Sequence, residues 1–225
     1  DAVHPPTVEG FDDRHLPVGI VVGNAQENAQ VRLVRGVLDA ADDESYEGIG
    51  DGRDDQADGS RALAVAIIRL LVLTGCRLGE IAKLQWSEFD AADRCLRLAD
   101  TKTGRSMRAI GLIAAAFISS RPQLAGSPWV FAARTGEGPY QHTKKLVKSI
   151  FSDAGIADAS CHTLRHTYAS VATDLGYSDA TIAGLLGHKG RGVTSRYVHR
   201  PDSALAAAAE AVSARVSVLL GDHSG

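Results

Sequence analysis

RALAVAIIRLLVLTGCRLGE, residues 61–80, is the stretch on which the fold turns. From 61 to 74 the chain is apolar on every face a helix would have, so the segment reads as a helix at the centre of a core rather than an amphipathic one on its surface. Ser60 can cap its start, and Gly75, suited to the left-handed position after a last turn, ends it. Arg77 then stands at the entrance to a second, short helix of about Leu78 to Leu84. An arginine beside helix N-terminal amides is suited to gripping an anion. The plainer account is that Arg77 pairs with Glu80 one turn further on.

Working outward from this helix, Trp86 leads to two strand patterns, CLRLA (95–99) and SMRAI (106–110), joined by the turn TKTG (101–104). Lys102 at such a hairpin tip can reach into a groove, although lysine in a turn is commonplace. Ile113 to Ser120 reads as a helix, PWVF (128–131) as a short buried run, and Tyr140 to Ala154 as another helix. The chain closes with an alanine-rich apolar helix, Ala204 to Leu220. Upstream, VRLVRGVLDAA (31–41) has helical spacing, whereas 42–60 has few apolar groups to bury and reads as a mobile loop. No internal repeat is visible. The pattern predicts a mainly α fold with a small antiparallel β-sheet (α+β).

The chain of 225 residues is 44 % hydrophobic, enough to bury a real core. No unbroken apolar run approaches the roughly 18 residues needed to cross a bilayer, and DAVHPPTVEG at the start has no signal-peptide pattern, so a cytoplasmic location with no membrane partner is expected. Cys76, Cys95 and Cys161 form no spaced framework and read as reduced thiols. The net charge of −3 conceals an uneven distribution. Residues 42–60 carry eight acids against one Arg (net −7) and residues 1–41 are at −3, which leaves 61–225 at +7. A basic body beside an acidic insert is compatible with a nucleic-acid partner, and a solvated face of cations is the blander account.

Two further stretches carry chemistry. In HTLRHTYAS (162–170), Leu164, Tyr168 and Val171 recur as a buried helical stripe, while His162, Arg165 and His166 fall on and beside the adjacent faces. In LLGHKGRGVTSRYVH (185–199), His188 follows a Gly that ends a short helix, and Tyr197 lies nine residues on. Cys161, His162, His166 and His188 could together ligate zinc, and His162 and His166 have metalloprotease spacing, but Thr163 stands where that motif needs its glutamate base. No metal is expected.

Taken in order, Arg-x-x-Glu after a buried helix, a hairpin Lys, His-x-x-Arg-His, Leu-Gly-His and a Tyr nine residues later closely resemble the tyrosine recombinase (phage integrase) family, from about residue 61 to 200. The resemblance implies a tyrosine recombinase catalytic domain over 61–225, preceded by a poorly defined segment, 1–60, with one helix and the acidic loop. The family's helical core-binding domain, which clamps DNA, has no room in this sequence, so weak and strongly salt-dependent DNA binding is expected. By similarity, Tyr197 is the nucleophile that forms a 3′-phosphotyrosyl link, and Arg77 and Arg165 clamp the non-bridging phosphate oxygens. Lys102 protonates the departing 5′-oxygen, His162 assists proton transfer, and His188 hydrogen-bonds the phosphate. Glu80 and His166 support the site. The resemblance also implies double-stranded DNA as substrate, no cofactor, a monomer that becomes a tetramer on DNA, and an accessory DNA-bending or directionality protein as a further partner. A type IB topoisomerase, which uses a similar residue set, and an inactive truncated DNA-binding remnant are the rival readings. The C-terminal helix could dock on its own domain or on a neighbouring protomer.

Overall fold

The computed structural model describes residues 35–36, 54–99, 104–133, 138–141, 143–156, 159–188 and 202–221. Helix α1 (Asp54–Thr74) forms the axis of the molecule. Nine of its residues between Ala64 and Leu73 are buried, and α2 (Leu78–Ala82), α3 (Leu112–Ser119), α4 (Thr143–Asp153), α5 (Cys161–Asp174) and α7 (Ser203–Leu220) all pack on it. The all-round apolar pattern therefore has its expected cause. Each fully buried Leu or Ile contributes about 1.5–3 kcal/mol relative to exposure, so this helix anchors the core.

The start of α1 differs from expectation. Residues 54–60 are helical rather than loop, and Ser60 lies inside the helix instead of capping it. Once the buried 61–74 segment is nucleated, each added residue gains a backbone hydrogen bond at little cost, so the helix extends into sequence that could not nucleate one. Of the helix expected over 31–41, only 35–36 are described, and both are helical.

A 3₁₀ turn (Trp86–Glu88) leads into a three-stranded antiparallel sheet of β1 (Phe89–Asp90), β2 (Cys95–Leu98) and β3 (Ser106–Ala109), in that order. Leu96 pairs with Arg108 and Cys95 with Ala109. The hairpin is as expected, and β1 is an addition: Asp90 carries no apolar signal, and its carboxylate is held by Arg97 at 2.8 Å. Helix α4 begins at Thr143, not Tyr140, because the Tyr140 N–H donates to the Phe131 carbonyl at 2.9 Å and its own carbonyl accepts from the Thr143 hydroxyl. The PWVF run is buried at Val130 and Phe131.

Helix α5 starts from a capping box. The Ser160 hydroxyl accepts from the His162 and Thr163 N–H groups, and Thr163 Oγ1 accepts from the Ser160 N–H at 3.0 Å. The stripe predicted on it is realised: Leu164, Tyr168 and Val171 are all buried. Helix α6 (Asp179–Leu185) follows, started by Ser178.

Helix α7 packs on its own domain, against α1, α3, α5 and α6. By length and composition it is apolar enough to cross a membrane, contrary to the expectation that no segment is. One face nevertheless lies in the core through residues such as Ala208, Val212, Val216 and Leu220, and its outer part carries Glu210 and Arg215. Glu210 Oε2 accepts from the Leu112 N–H at 2.8 Å, at the start of α3, and from Arg94 Nη1 at 2.5 Å. A carboxylate on a helix N-terminus is favourable, so this residue pins α7 in place.

Candidate active site

The site forms where two turns face one helix. The first turn, Thr74-Gly75-Cys76, separates α1 from α2. Gly75 has φ +62°, and a Cβ there would collide with the Tyr168 ring, so both backbone shape and space require glycine. The second turn, Leu186-Gly187-His188, ends α6, with Gly187 at φ +64°. Between them lies Arg165 of α5, which is buried. Its Nη1 donates to the Gly75 carbonyl at 2.5 Å, and its Nη2 to the Leu186 carbonyl at 2.7 Å and to His188 Nε2 at 3.1 Å. Arginine can only donate, so His188 Nε2 is the acceptor and the ring proton is assigned to Nδ1. Burial of the ring's inner edge, then the charges of Arg165, Arg77 and Arg108, lower the His188 pKa, so the ring is neutral at pH 7.

Arg77 stands at the N-cap of α2. Its N–H donates to Glu80 Oε2 at 2.8 Å and its Nη1 to Glu80 Oε1 at 2.9 Å. The plain Arg77–Glu80 pairing therefore exists, and it does not exhaust the guanidinium. Its other N–H groups meet no acceptor among the described residues, and the side chain is 32 % exposed. Arg77 and Arg165 are close enough that the Arg77 charge is the second cause, after burial, lowering the Arg165 pKa. Two guanidiniums held together against their mutual repulsion make a place for an anion.

A residue that the sequence reading passed over completes the cluster. Arg108, on β3, has no exposed side-chain surface and donates through Nη2 to Glu80 Oε1 at 2.9 Å, while Nη1 donates to the Ser106 hydroxyl. Its Nε is buried and meets no acceptor among the described residues. Glu80, itself buried, thus accepts from two arginines. Burial pushes its pKa up, but the Arg77 N–H bond and the Arg108 charge outweigh that and hold it below the ordinary value. The signal was present in SMRAI: alternation puts Arg108 on the same strand face as Ile110, and an arginine in an inward register needs a buried counter-ion.

The remaining predicted residues are placed less closely. His162 and His166 are exposed on α5, their rings edge to face with centroids 4.4 Å apart, and no hydrogen bond ties either to the arginines. The possible zinc set of Cys161, His162, His166 and His188 is not assembled: His188 faces Arg165, and no group of three or more metal-ligating side chains exists among the described residues. Lys102 and Tyr197 lie outside the described residues.

The model of the phage integrase family matches residues 46–203. The chain is 28 % identical over 170 residues to "Tyrosine recombinase XerC" of Bifidobacterium longum (strain DJO10A), covering 65 % of this chain and 47 % of that protein. It is 32 % identical over 145 residues to "Tyrosine recombinase XerD" of Rhizobium meliloti (strain 1021), covering 60 % and 46 %. The chain thus spans about half the length of the curated relatives it matches. Among solved structures, the integrase from mycobacterium phage Brujita shares the fold with a TM-score of 0.58 at 16 % identity, over 89 % of this chain and 64 % of that one. The XerA recombinase shares it with a TM-score of 0.52 at 21 % identity, over 84 % and 64 %.

Proposed function

Because the chain belongs to the phage integrase family, we propose that it carries the catalytic machinery of a site-specific DNA recombinase, which cuts and rejoins strands through a 3′-phosphotyrosyl intermediate. The observation that carries this reading is the pairing of Arg77 with Arg165, two guanidiniums from distant parts of the chain, one open to solvent and one fixed between two turns. A phosphodiester under attack gains negative charge on its non-bridging oxygens. Preorganised guanidiniums stabilise that charge without reorganising as it forms.

In the proposed reaction, the Tyr197 oxygen attacks the scissile phosphorus and the bond from phosphorus to the 5′-oxygen breaks. Lys102 gives the leaving oxygen its proton, and the 3′-phosphate stays on the tyrosine. A phenol with an ordinary pKa near 10 needs a cationic neighbourhood to act at neutral pH, and the arginine pair supplies one. His188, neutral and protonated on Nδ1, can act as a hydrogen-bond donor to the phosphate but not as a cation. His162, exposed at the start of α5, has room to approach the substrate and take the proton that Tyr197 loses as it attacks. Tyr168, the tyrosine on this helix, is no rival nucleophile, since burial raises its pKa and seals it in the core. Resealing is the reverse attack by a 5′-hydroxyl, so the phosphodiester energy is conserved and no nucleotide cofactor is needed. Double-stranded DNA is the proposed substrate, with a tetramer as the active assembly and an accessory DNA-bending or directionality protein as a further partner.

The test is covalent capture. A nicked suicide duplex, drawn first from long mixed-sequence or genomic flanking DNA, is incubated in EDTA with the chain and with Tyr197→Phe. A denaturing gel that shows an adduct for the parent chain alone supports the reading. Adduct formation that survives Tyr197→Phe removes it.

A further inference from the structure

We infer that Arg108 is a positioning residue for anion binding: it serves as the buried counter-ion of Glu80, so that Glu80 can aim Arg77 without cancelling its charge. The inference rests on the proposed use of Arg77 as a phosphate ligand and assigns a role to a residue outside the expected catalytic set.

The geometry poses an electrostatic problem and contains its solution. Glu80 fixes Arg77 through both carboxylate oxygens, one on the backbone N–H and one on Nη1. A carboxylate 2.9 Å from a guanidinium orients it well but also neutralises most of the field an incoming phosphate would feel. Arg108, whose side chain has no exposed surface, donates to the same oxygen, Oε1. The cluster of Arg77, Arg108 and Arg165 with Glu80 is therefore left with two net positive charges, and the two guanidiniums nearest solvent carry them. Arg108 itself is out of a ligand's reach, with no exposed side-chain surface.

Its surroundings fix it there. The Ser106 hydroxyl holds Nη1, and a Cβ built on Gly187 would collide with the guanidinium, so β3, α2 and the turn that carries His188 meet at this one side chain. Its Nε, buried with no acceptor among the described residues, marks a cation held for its charge and shape more than for a complete set of hydrogen bonds.

Counting charge gives an ordering that a purely structural role does not. Arg108→Met removes one positive charge from the cluster, Glu80→Gln adds one, and the double variant restores the original net charge with neutral groups of similar volume. The readout is the Arg77 Nε–Hε resonance in 15N-arginine-labelled protein, assigned with Arg77→Lys, during titration with inorganic phosphate at constant ionic strength. Arg108→Met should weaken phosphate binding by about tenfold or more, and Arg108→Met/Glu80→Gln should recover to within about threefold of the parent. Arg108→Lys, which keeps the charge, should also stay within about threefold.

If Arg108→Met does not fold, the double variant and Arg108→Lys decide, because neither leaves a buried charge unpaired. Affinity in the double variant tenfold below the parent, or unchanged affinity in a folded Arg108→Met, overturns the inference. The titration needs no DNA. Parallel suicide-substrate assays therefore separate the two claims: the predicted ordering in a chain that forms no adduct supports the role of Arg108 and removes the recombinase reading.

Discussion

The two arginines of the site are held by opposite means. Arg165 is buried and donates to two backbone carbonyls and a neutral imidazole. Arg77 is partly exposed and held by one carboxylate, which is in turn held by a second, hidden arginine. Backbone carbonyls at turns cannot be mutated away and move only when the turns move. A side-chain carboxylate can be lost in one substitution and titrates with pH. The Arg165 half is thus a rigid fixture, and the Arg77 half is an adjustable one.

The largest expected effect breaks the two halves unequally. Arg165→Lys should reduce covalent adduct formation by about 10³-fold, because an ammonium cannot span acceptors on both turns and still face a phosphate, whereas Arg77→Lys should cost about 10²-fold. Thermal melting sharpens the contrast. Arg165→Lys leaves the Gly75 or Leu186 carbonyl short of a donor and should lower the melting temperature, while Arg77→Lys should leave it nearly unchanged. Equal losses in both assays would mean that the two halves are built alike.

Glu80→Gln comes next in size. It leaves Arg108 buried without its counter-ion, for a cost of about 3 kcal/mol in urea unfolding at neutral pH. The pH dependence follows from the depressed carboxyl. A group whose folded pKa lies below its ordinary value of 4.5 contributes stability that is complete above that value and disappears as pH falls through the folded one. The parent should therefore lose stability below about pH 4.5, and Glu80→Gln should show a shallower acid limb over the same range. Parallel acid limbs would place the titrating group elsewhere. Gly75→Ala should cost less, about 1–2 kcal/mol, from the strained φ and the collision with Tyr168, partly relieved by movement of the ring.

How much of this was legible in the sequence varies with the physics of each part. The central helix and the α5 stripe were readable because burial imposes a period, and period survives in sequence order. Arg77 and Arg165 were readable by resemblance, as motifs with fixed local neighbours. The start of α1 was not, since cooperativity carried the helix seven residues into an acidic stretch. Strand β1 was too short to show alternation. Arg108 was the instructive omission. The register of SMRAI marks it as facing inward, but its partners, Glu80 28 positions away and a glycine turn further still, lie outside any local window. The α7 helix shows the converse: its alanines and valines permit docking on its own domain or on a neighbour, and in this structure its buried face lies in the domain's own core while Glu210 adds contacts to Arg94 and Leu112.

The smallest expected effect tests whether the Arg165 half is as closed as its hydrogen bonds imply. Cys76 lies in the turn whose Gly75 carbonyl Arg165 holds, 1 % exposed, and burial raises its thiol pKa despite the Arg108 charge nearby. A thiol that is buried and kept protonated should react with an aromatic disulfide reagent only when the turn opens. Cys161, half-buried at the start of α5, should react first, though slowly, since burial raises its pKa too. In Cys161→Ser, the remaining thiols should therefore react at the rate of global unfolding, measured separately by dilution into denaturant. Faster modification of Cys76 would show that the turn breathes while the domain stays folded. The rigid half would then be held together by substrate as much as by its own carbonyls, and the contrast with Arg77 would be one of degree.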